Sequence, residues 1–200
     1  MFPHSSLTKI TVICAAIMCL AQAVEVGPVS IARILVGDTV TVIIDGTEEK
    51  LRLLYLDTPE VHDNPHGQAS PAGLLAKEAV VSIAPPSSSV RVWGPGGSLE
   101  RDRYGRLLGV VILESGKTIQ EEMISRGWSP LWEKYGQADS LWRAALAQGE
   151  SDARTNKRGA WAIDSLYMSE KSGDTAAVAK ESPVHLSKIT LSDGSRRIGF

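Results

Sequence analysis

Residues 37–60 read G-D-T-V-T-V-I-I-D-G-T-E-E-K-L-R-L-L-Y-L-D-T-P-E. Thr39 to Ile44 puts Val40, Val42 and Ile44 on one face, the period of two expected of a half-buried strand, and Asp45-Gly46 is a hairpin turn. Leu51 to Leu56 has few polar residues and reads as a strand covered on both faces. Both runs end in carboxylates: Asp38 stands behind Gly37 at the mouth of the first, and Asp57, Thr58 and Glu60 crowd the exit of the second. Arg52 lies between them. Three acids and an arginine on one hairpin point to metal-assisted chemistry on an anionic substrate.

Working outward, Val29 to Val36 supplies a preceding strand and completes a three-strand meander. After Glu60, V-H-D-N-P-H-G-Q-A has Pro65, Gly67 and little apolar content, so it reads as an exposed loop. Ser70-Pro71 starts a helix, with Ser as cap and Pro in the first turn, and Leu74, Leu75, Ala79 and Val80 are its expected inner face. A strand at Val90 to Trp93 follows, then the arginine-rich turn R-D-R-Y-G-R (Arg101 to Arg106) and a strand over Leu107 to Leu113. Thr118 to Arg126 reads as a helix ended by Gly127. Ala138 to Lys157 is a longer helix, with Leu141, Ala145 and Ala153 on its core stripe, and Trp161 is expected to pack back onto the domain. Five strands with three helices predict an α+β chain that is mainly β barrel: a closed Greek-key barrel of the oligonucleotide-binding (OB-fold) type.

The ends have a different character. Lys9, the apolar run Ile10 to Leu20 and Ala21-Gln22-Ala23 read as a secretory signal over residues 1–23. That run falls well short of the roughly 20 residues a bilayer span needs, so the expectation is an exported, monomeric protein without stable membrane insertion. Cys14 and Cys19 both fall in this leader, leaving the rest of the chain without a thiol. Removing Lys9 from the 21 Lys and Arg leaves 20 against 23 acids, a net charge of −3. Such a chain has no general affinity for polyanions, so a polynucleotide must be held by a local patch, weakly and salt-sensitively. The domain is expected over residues 24–168, a flexible linker over 169–183, and a tail over 184–200 whose alternation allows a small hairpin.

Each local pattern has an ordinary explanation. Gly37-Asp38 alone is a turn, and Asp57-Thr58-Pro59-Glu60 resembles a helix cap, though no apolar stripe follows for it to serve. Arg52, in an apolar strand, needs an anionic partner. Asp57 is five residues away, about 16 Å if extended, and of opposite parity, so their meeting requires a bend near Asp57. His62 and His66 lack a third nitrogen or sulfur ligand for zinc. Arg101, Arg103 and Arg106 around Tyr104 and Gly105 combine guanidinium groups with an aromatic surface, which suits phosphates and bases.

The segments G-D-T-V, R-L-L-Y-L-D-T-P-E and D-R-Y-G-R, in that order and spacing, resemble the thermonuclease family of staphylococcal nuclease-like domains, over about Ile31 to Trp161. The resemblance implies a Ca²⁺ site on the Asp38 and Asp57 carboxylates and the Thr58 carbonyl, with Glu60 as the carboxylate that activates water. It also implies phosphate binding by Arg52 and Arg106, and contacts to the neighbouring nucleotide by Arg103 and Tyr104, where Arg replaces the commoner Lys. The implied activity is calcium-dependent endonucleolytic hydrolysis of single-stranded or locally unpaired DNA and RNA, leaving 3′-phosphate ends. Three departures stand out: the acidic net charge, a loop after Glu60 that is short and lacks lysines, and the lack of a certain counterpart to the family's substrate-packing tyrosine, for which Trp132 and Tyr135 are candidates. The competing expectation is a non-catalytic nucleic-acid or protein binding module on the same fold.

Overall fold

The computed structural model describes residues 23–63, 69–172, 189–190 and 196–197. Strands β1 (Val24–Val36), β2 (Thr39–Ile44), β3 (Thr47–Leu53), β4 (Ser89–Gly94) and β5 (Leu107–Leu113) close a barrel in the order β1-β2-β3-β5-β4. Neighbours are antiparallel except β3 and β5, where Leu51, Arg52 and Leu53 face Leu107, Leu108 and Gly109 in parallel register. This is the five-stranded barrel expected from the sequence. The Asp45-Gly46 turn has φ of 49° and 78°, the left-handed pair that matches strand twist, and sets Ile44 opposite Thr47. Val40, Val42, Leu51, Leu53, Val92 and Val111 are fully buried inside the barrel.

Two strand boundaries differ from expectation. β1 begins at Val24 rather than Val29, pairing Val24 with Gly94 and Val26 with Val92. Gly27-Pro28 breaks the pattern in the sequence, and the structure absorbs it as a register shift between Val26 and Val29. β3 takes in the exposed polar arm from Thr47 and ends at Leu53, because Tyr55 has φ of 66° and turns the chain out of the sheet.

Helices α1 (Pro71–Ile83), α2 (Ile119–Ser125) and α3 (Ser140–Thr155) correspond to the three expected. Ser70 Oγ caps α1 by accepting from Ala72 N, and Thr118 with Glu121 forms a reciprocal capping box on α2. Two short helices were not expected, α4 (Ala160–Ile163) and α5 (Ser165–Lys171). The second crosses the boundary expected at residue 168: Met168 and Ser169 are buried, and Met168 packs with Ala72, Ala153, Ala160 and Trp161. The first residues of the expected linker are therefore part of the domain. Small polar residues hid this, because the helix is held by one methionine and by an Asp164 cap rather than by a stripe. Residues 173–183 of that expected linker lie outside the described residues, as do residues 1–22 of the expected leader. In the tail, β6 (Ile189–Thr190) and β7 (Arg196–Arg197) pair antiparallel. No helix among the described residues is long and apolar enough to cross a membrane.

Helix faces also need correction. Ala79 and Val80 are buried as expected, but Leu74 and Leu75 are exposed at 54% and 39%, and α1 buries Ala72, Gly73 and Ala76 in their place. On α3, Leu141 is 74% exposed and Ala145 is exposed, while Leu146 and Ala153 face the core. The cause on α1 is close approach: a Cβ at Gly73 would overlap the Glu60 carbonyl, whose oxygen accepts from Ser70 N at 3.0 Å. The small face brings the start of the helix against the strand exit, and a leucine face would hold it away. Gly73→Ala should cost about 1–3 kcal/mol in urea denaturation. Gly97→Ala, where an added Cβ meets nothing within 4 Å, should stay within about 0.5 kcal/mol of wild type.

Candidate active site

The turn at Tyr55 resolves the parity problem between Arg52 and Asp57. With the chain bent after Leu53, the Arg52 guanidinium, 4% exposed, lies inside a cage of oxygens. Nη1 donates to the carbonyls of Leu53 (3.0 Å) and Leu56 (2.7 Å), and more weakly to that of Asp38 (3.5 Å). Nη2 reaches Asp57 Oδ1 at 3.0 Å and Asp38 Oδ2 at 3.3 Å. Asp38, on the β1–β2 turn, and Asp57, past the end of β3, are thus held side by side by one nitrogen. Thr39 Oγ1 donates to Asp38 Oδ1 at 2.8 Å.

The opposite wall is the arginine-rich turn before β5. Asp102 organises it: one carboxylate oxygen accepts the backbone N–H groups of Tyr104 (2.9 Å) and Arg106 (3.0 Å), and the other receives the Arg106 guanidinium through Nε (2.8 Å) and Nη2 (2.7 Å). Burial alone would raise the Asp102 carboxyl, but the Arg106 bonds, the Tyr104 bond and the Arg106 charge outweigh it and hold it below the usual range. Arg106 Nη1 also reaches Thr39 Oγ1 at 3.3 Å, linking this wall to Asp38. Arg103 Nη2 donates to the Tyr104 hydroxyl at 2.6 Å and stacks on its ring, which is 57% exposed. Arg101, at the edge of the same cavity, is paired with Glu49 at 2.8 Å and bonded to the Gly105 carbonyl, so it braces the turn. Between the walls lies a cavity of about 730 Å³, lined by Asp38, Arg52, Asp57, Thr58, Glu60, Arg103, Tyr104 and Arg106 among others. Every site residue expected from the sequence borders this one space.

Comparison with known proteins agrees with this geometry. The family model described as "Staphylococcal nuclease homologue" matches residues 50–163, more than half of the chain. The chain belongs to the staphylococcal nuclease homologue family. Among curated relatives, "Endonuclease YhcR" of Bacillus subtilis (strain 168) is 30% identical over 139 residues, 64% of this chain and 11% of that protein. "Endonuclease YncB" of the same organism is 28% identical over 133 residues, 66% of this chain and 61% of that protein. "Thermonuclease" of Staphylococcus hyicus is 29% identical over 132 residues, 66% of this chain and 73% of that protein. The chain therefore spans less than two thirds of the length of the first two.

This staphylococcal nuclease homologue recruits Ser129, Tyr167 and Lys171, which the sequence reading did not assign to the site, beside Trp132 and Tyr135, which it named as candidates for packing against the substrate. Ser129, fully buried in the W-S-P-L-W segment, accepts the Asp57 N–H at 2.8 Å. Trp132 N donates to the Tyr55 carbonyl at 3.0 Å, and its ring lies 5.2 Å from the Arg52 guanidinium. Tyr135 meets Trp132 edge-on, so both candidate aromatics stand on the cavity wall. From α5, the Tyr167 hydroxyl donates to the Thr58 carbonyl at 2.7 Å and approaches Asp57 Oδ2 at 3.3 Å, where Lys171 Nζ sits at 3.0 Å. Burial pushes the Tyr167 phenol far above its usual range and the charges of Asp57, Asp38 and Glu60 act the same way, so it is a fixed donor. The signal for Tyr167 and Lys171 was absent because α5 itself was not legible. His62 lies in the loop after Glu60, and His66 is outside the described residues.

Among the described residues, no group of three or more His, Cys, Asp or Glu side chains makes a metal cluster. The fit to calcium rests on a different set: two carboxylates converging on one guanidinium nitrogen, with the Thr58 carbonyl joined to Asp57 through a shared phenol. These are hard oxygen donors from two turns held together by Arg52, and the flexible, high coordination number of calcium lets solvent complete them.

Removing Arg52 would leave two neighbouring carboxylates without their shared countercharge. Arg52→Met should cost about 3–5 kcal/mol in denaturant unfolding, with part recovered in the Arg52→Met/Asp57→Asn double variant. Asp102 has a lowered folded-state pKa, so its contribution is present above the ordinary carboxylate value of about 3.9 and is lost as pH falls through the lower folded value. Stability measured from pH 7 to 2 should therefore fall less steeply below about pH 4 in Asp102→Asn than in wild type.

Proposed function

We propose that the protein is an exported, calcium-dependent endonuclease that hydrolyses phosphodiester bonds of single-stranded or locally unpaired DNA and RNA. The observation that carries this reading is that Glu60, Arg52 and Arg106 border the same cavity as the Asp38, Asp57 and Thr58 oxygens. Family membership and the printed names of the endonuclease relatives support the reaction class. A leader-like N-terminus and a single self-closed barrel support export and a monomer.

Asp38, Asp57 and the Thr58 carbonyl would hold the Ca²⁺ ion, which, when bound, supplies Lewis-acid polarisation of a phosphate oxygen. The Glu60 carboxylate orients a water and accepts its proton as the water attacks phosphorus. Arg52 and Arg106, fixed before the substrate arrives, stabilise negative charge that grows on the phosphoryl oxygens. Their positions are set by carbonyls and by Asp102, so little reorganisation is needed as the charge develops. Arg103 and Tyr104 grip the adjacent nucleotide, one by charge and one by its exposed ring. The bond from phosphorus to the 5′ oxygen breaks, and that oxygen leaves as a hydroxyl with a proton taken from solvent, giving a 3′-phosphate end.

Cleavage of labelled single-stranded DNA and RNA by the protein lacking its leader, in calcium and then in chelator, tests this. The expected result is calcium-dependent cleavage with 3′-phosphate ends, reduced by about 10²–10⁴-fold in Glu60→Gln and comparably in Arg106→Ala. Folded protein that binds oligonucleotide but never cleaves it would establish the binding module instead.

A further inference from the structure

Both oxygens of Asp57 are engaged by the protein itself. Oδ1 takes the Arg52 guanidinium at 3.0 Å, and Oδ2 takes the Lys171 ammonium at 3.0 Å with the Tyr167 hydroxyl 3.3 Å away. The Thr58 carbonyl, the second oxygen of the cation set contributed by this turn, accepts from the same phenol at 2.7 Å. Two of the three oxygens expected to bind calcium are therefore occupied by donors from α5, one of which carries a full positive charge. Arg52 is buried and tied to three carbonyls, so it has nowhere to go. Lys171 differs: its side chain is 26% exposed, it is the last residue of a seven-residue helix, and its ammonium rests 6.0 Å from the centre of the Trp132 ring.

We propose that Lys171, assisted by Tyr167, is an internal competitor for the cation site, so that calcium binds only as the Lys171 ammonium leaves Asp57. The inference rests on the reading of Asp38, Asp57 and Thr58 as the calcium site and adds a residue that sets its affinity. A monovalent ammonium fixed on a carboxylate opposes a divalent ion at the same oxygens through charge repulsion and through the contact that must be broken. The free protein then divides between a closed form, with Lys171 on Asp57, and a competent form. Its apparent calcium affinity is the intrinsic affinity reduced by the competent fraction. The displaced ammonium stays beside the cavity, which Lys171 and Lys134 both line, and there it is available to a phosphate. Calcium binding thus turns an internal countercharge into a substrate contact.

The test is calorimetric titration of the full-length chain with calcium chloride, without substrate, so that affinity is read independently of cleavage. Lys171→Met keeps an unbranched apolar side chain and removes the charge; it should bind calcium at least about tenfold more tightly than wild type. Lys171→Arg restores a cation and should stay within about threefold of wild type. Tyr167→Phe keeps the packed ring and frees the Thr58 carbonyl, so it should tighten binding by a smaller factor, and it serves as the second variant should Lys171→Met not fold. Asp57→Asn should abolish binding in every background. Asp57-dependent binding in wild type that Lys171→Met and Tyr167→Phe fail to tighten would overturn this proposal alone. No Asp57-dependent binding in any variant would overturn it together with the calcium reading.

Discussion

The site depends on a buried guanidinium satisfied from all sides. Arg52 holds three main-chain carbonyls and two carboxylates, and those groups come from the β1–β2 turn, the end of β3 and the irregular stretch beyond it. A charge this deep is tolerated only when every donor is matched, and here the matching also defines the shape of the chain. The Leu53 and Leu56 carbonyls can point at one nitrogen only if the strand turns between them. Tyr55 supplies that turn in a left-handed conformation that costs about 1–2 kcal/mol for a side chain of its kind. The guanidinium bonds offset the backbone strain, and the strain in turn brings Asp57 beside Asp38.

The remaining walls follow the same pattern of an acid or hydroxyl fixing a loop before any ligand arrives. Asp102 draws the arginine-rich turn into a closed loop whose outward products are Arg103 and Tyr104. Ser129 and the Leu131–Trp132 backbone clip the W-S-P-L-W segment onto the residues following β3, with Leu56 bridged to Leu131. Glu150, on α3, secures that segment by accepting the Leu131 N–H at 3.0 Å. Its carboxyl is raised by burial, although that hydrogen bond and the Arg154 charge pull the other way. Apart from Arg52 on β3, the expected site side chains therefore stand on loops, yet those loops are tied to the barrel by hydrogen bonds that include buried and half-buried ones. That is the arrangement preorganised electrostatics requires.

Most of this was legible where the signal is local and short-range. Alternation around Asp45-Gly46 specified the hairpin, Ser70-Pro71 the start of α1, and the three separated motifs the set of residues that converge. What failed to be legible depends on contacts between distant segments. The inner face of α1 was misjudged because leucines at 74 and 75 outrank alanines on any hydrophobicity scale, whereas the packing surface needed small residues beside the Glu60 carbonyl. The last helix was not foreseen, and its residues 169–171 were taken for linker, because its anchoring is sparse, Met168 at one point and two polar side chains reaching Asp57 and Thr58 at others. The bend at Tyr55 could be demanded from the Arg52–Asp57 parity, but not assigned to a residue, since tyrosine has no preference for positive φ.

The charge pattern constrains how such a site engages a polyanion. The chain is net acidic, and most cations at the cavity are already paired: Arg52 with Asp38 and Asp57, Arg106 with Asp102, Lys171 with Asp57. A phosphate entering here does not meet a bare positive field; it exchanges with carboxylates for guanidinium groups whose orientation is already set. Each such exchange gains less than neutralising a solvated cation would, so long-range attraction to duplex is small and few counterions are released per contact. Binding must then lean on short-range surfaces, and Tyr104, Trp132 and Tyr135 supply three aromatic groups around the same cavity. Aromatic faces are reached by bases that are unstacked. On the reading proposed above, an acidic barrel with prepaired arginines and an aromatic rim would favour single strands and opened ends over duplex, and the acidic composition would be the source of that selectivity.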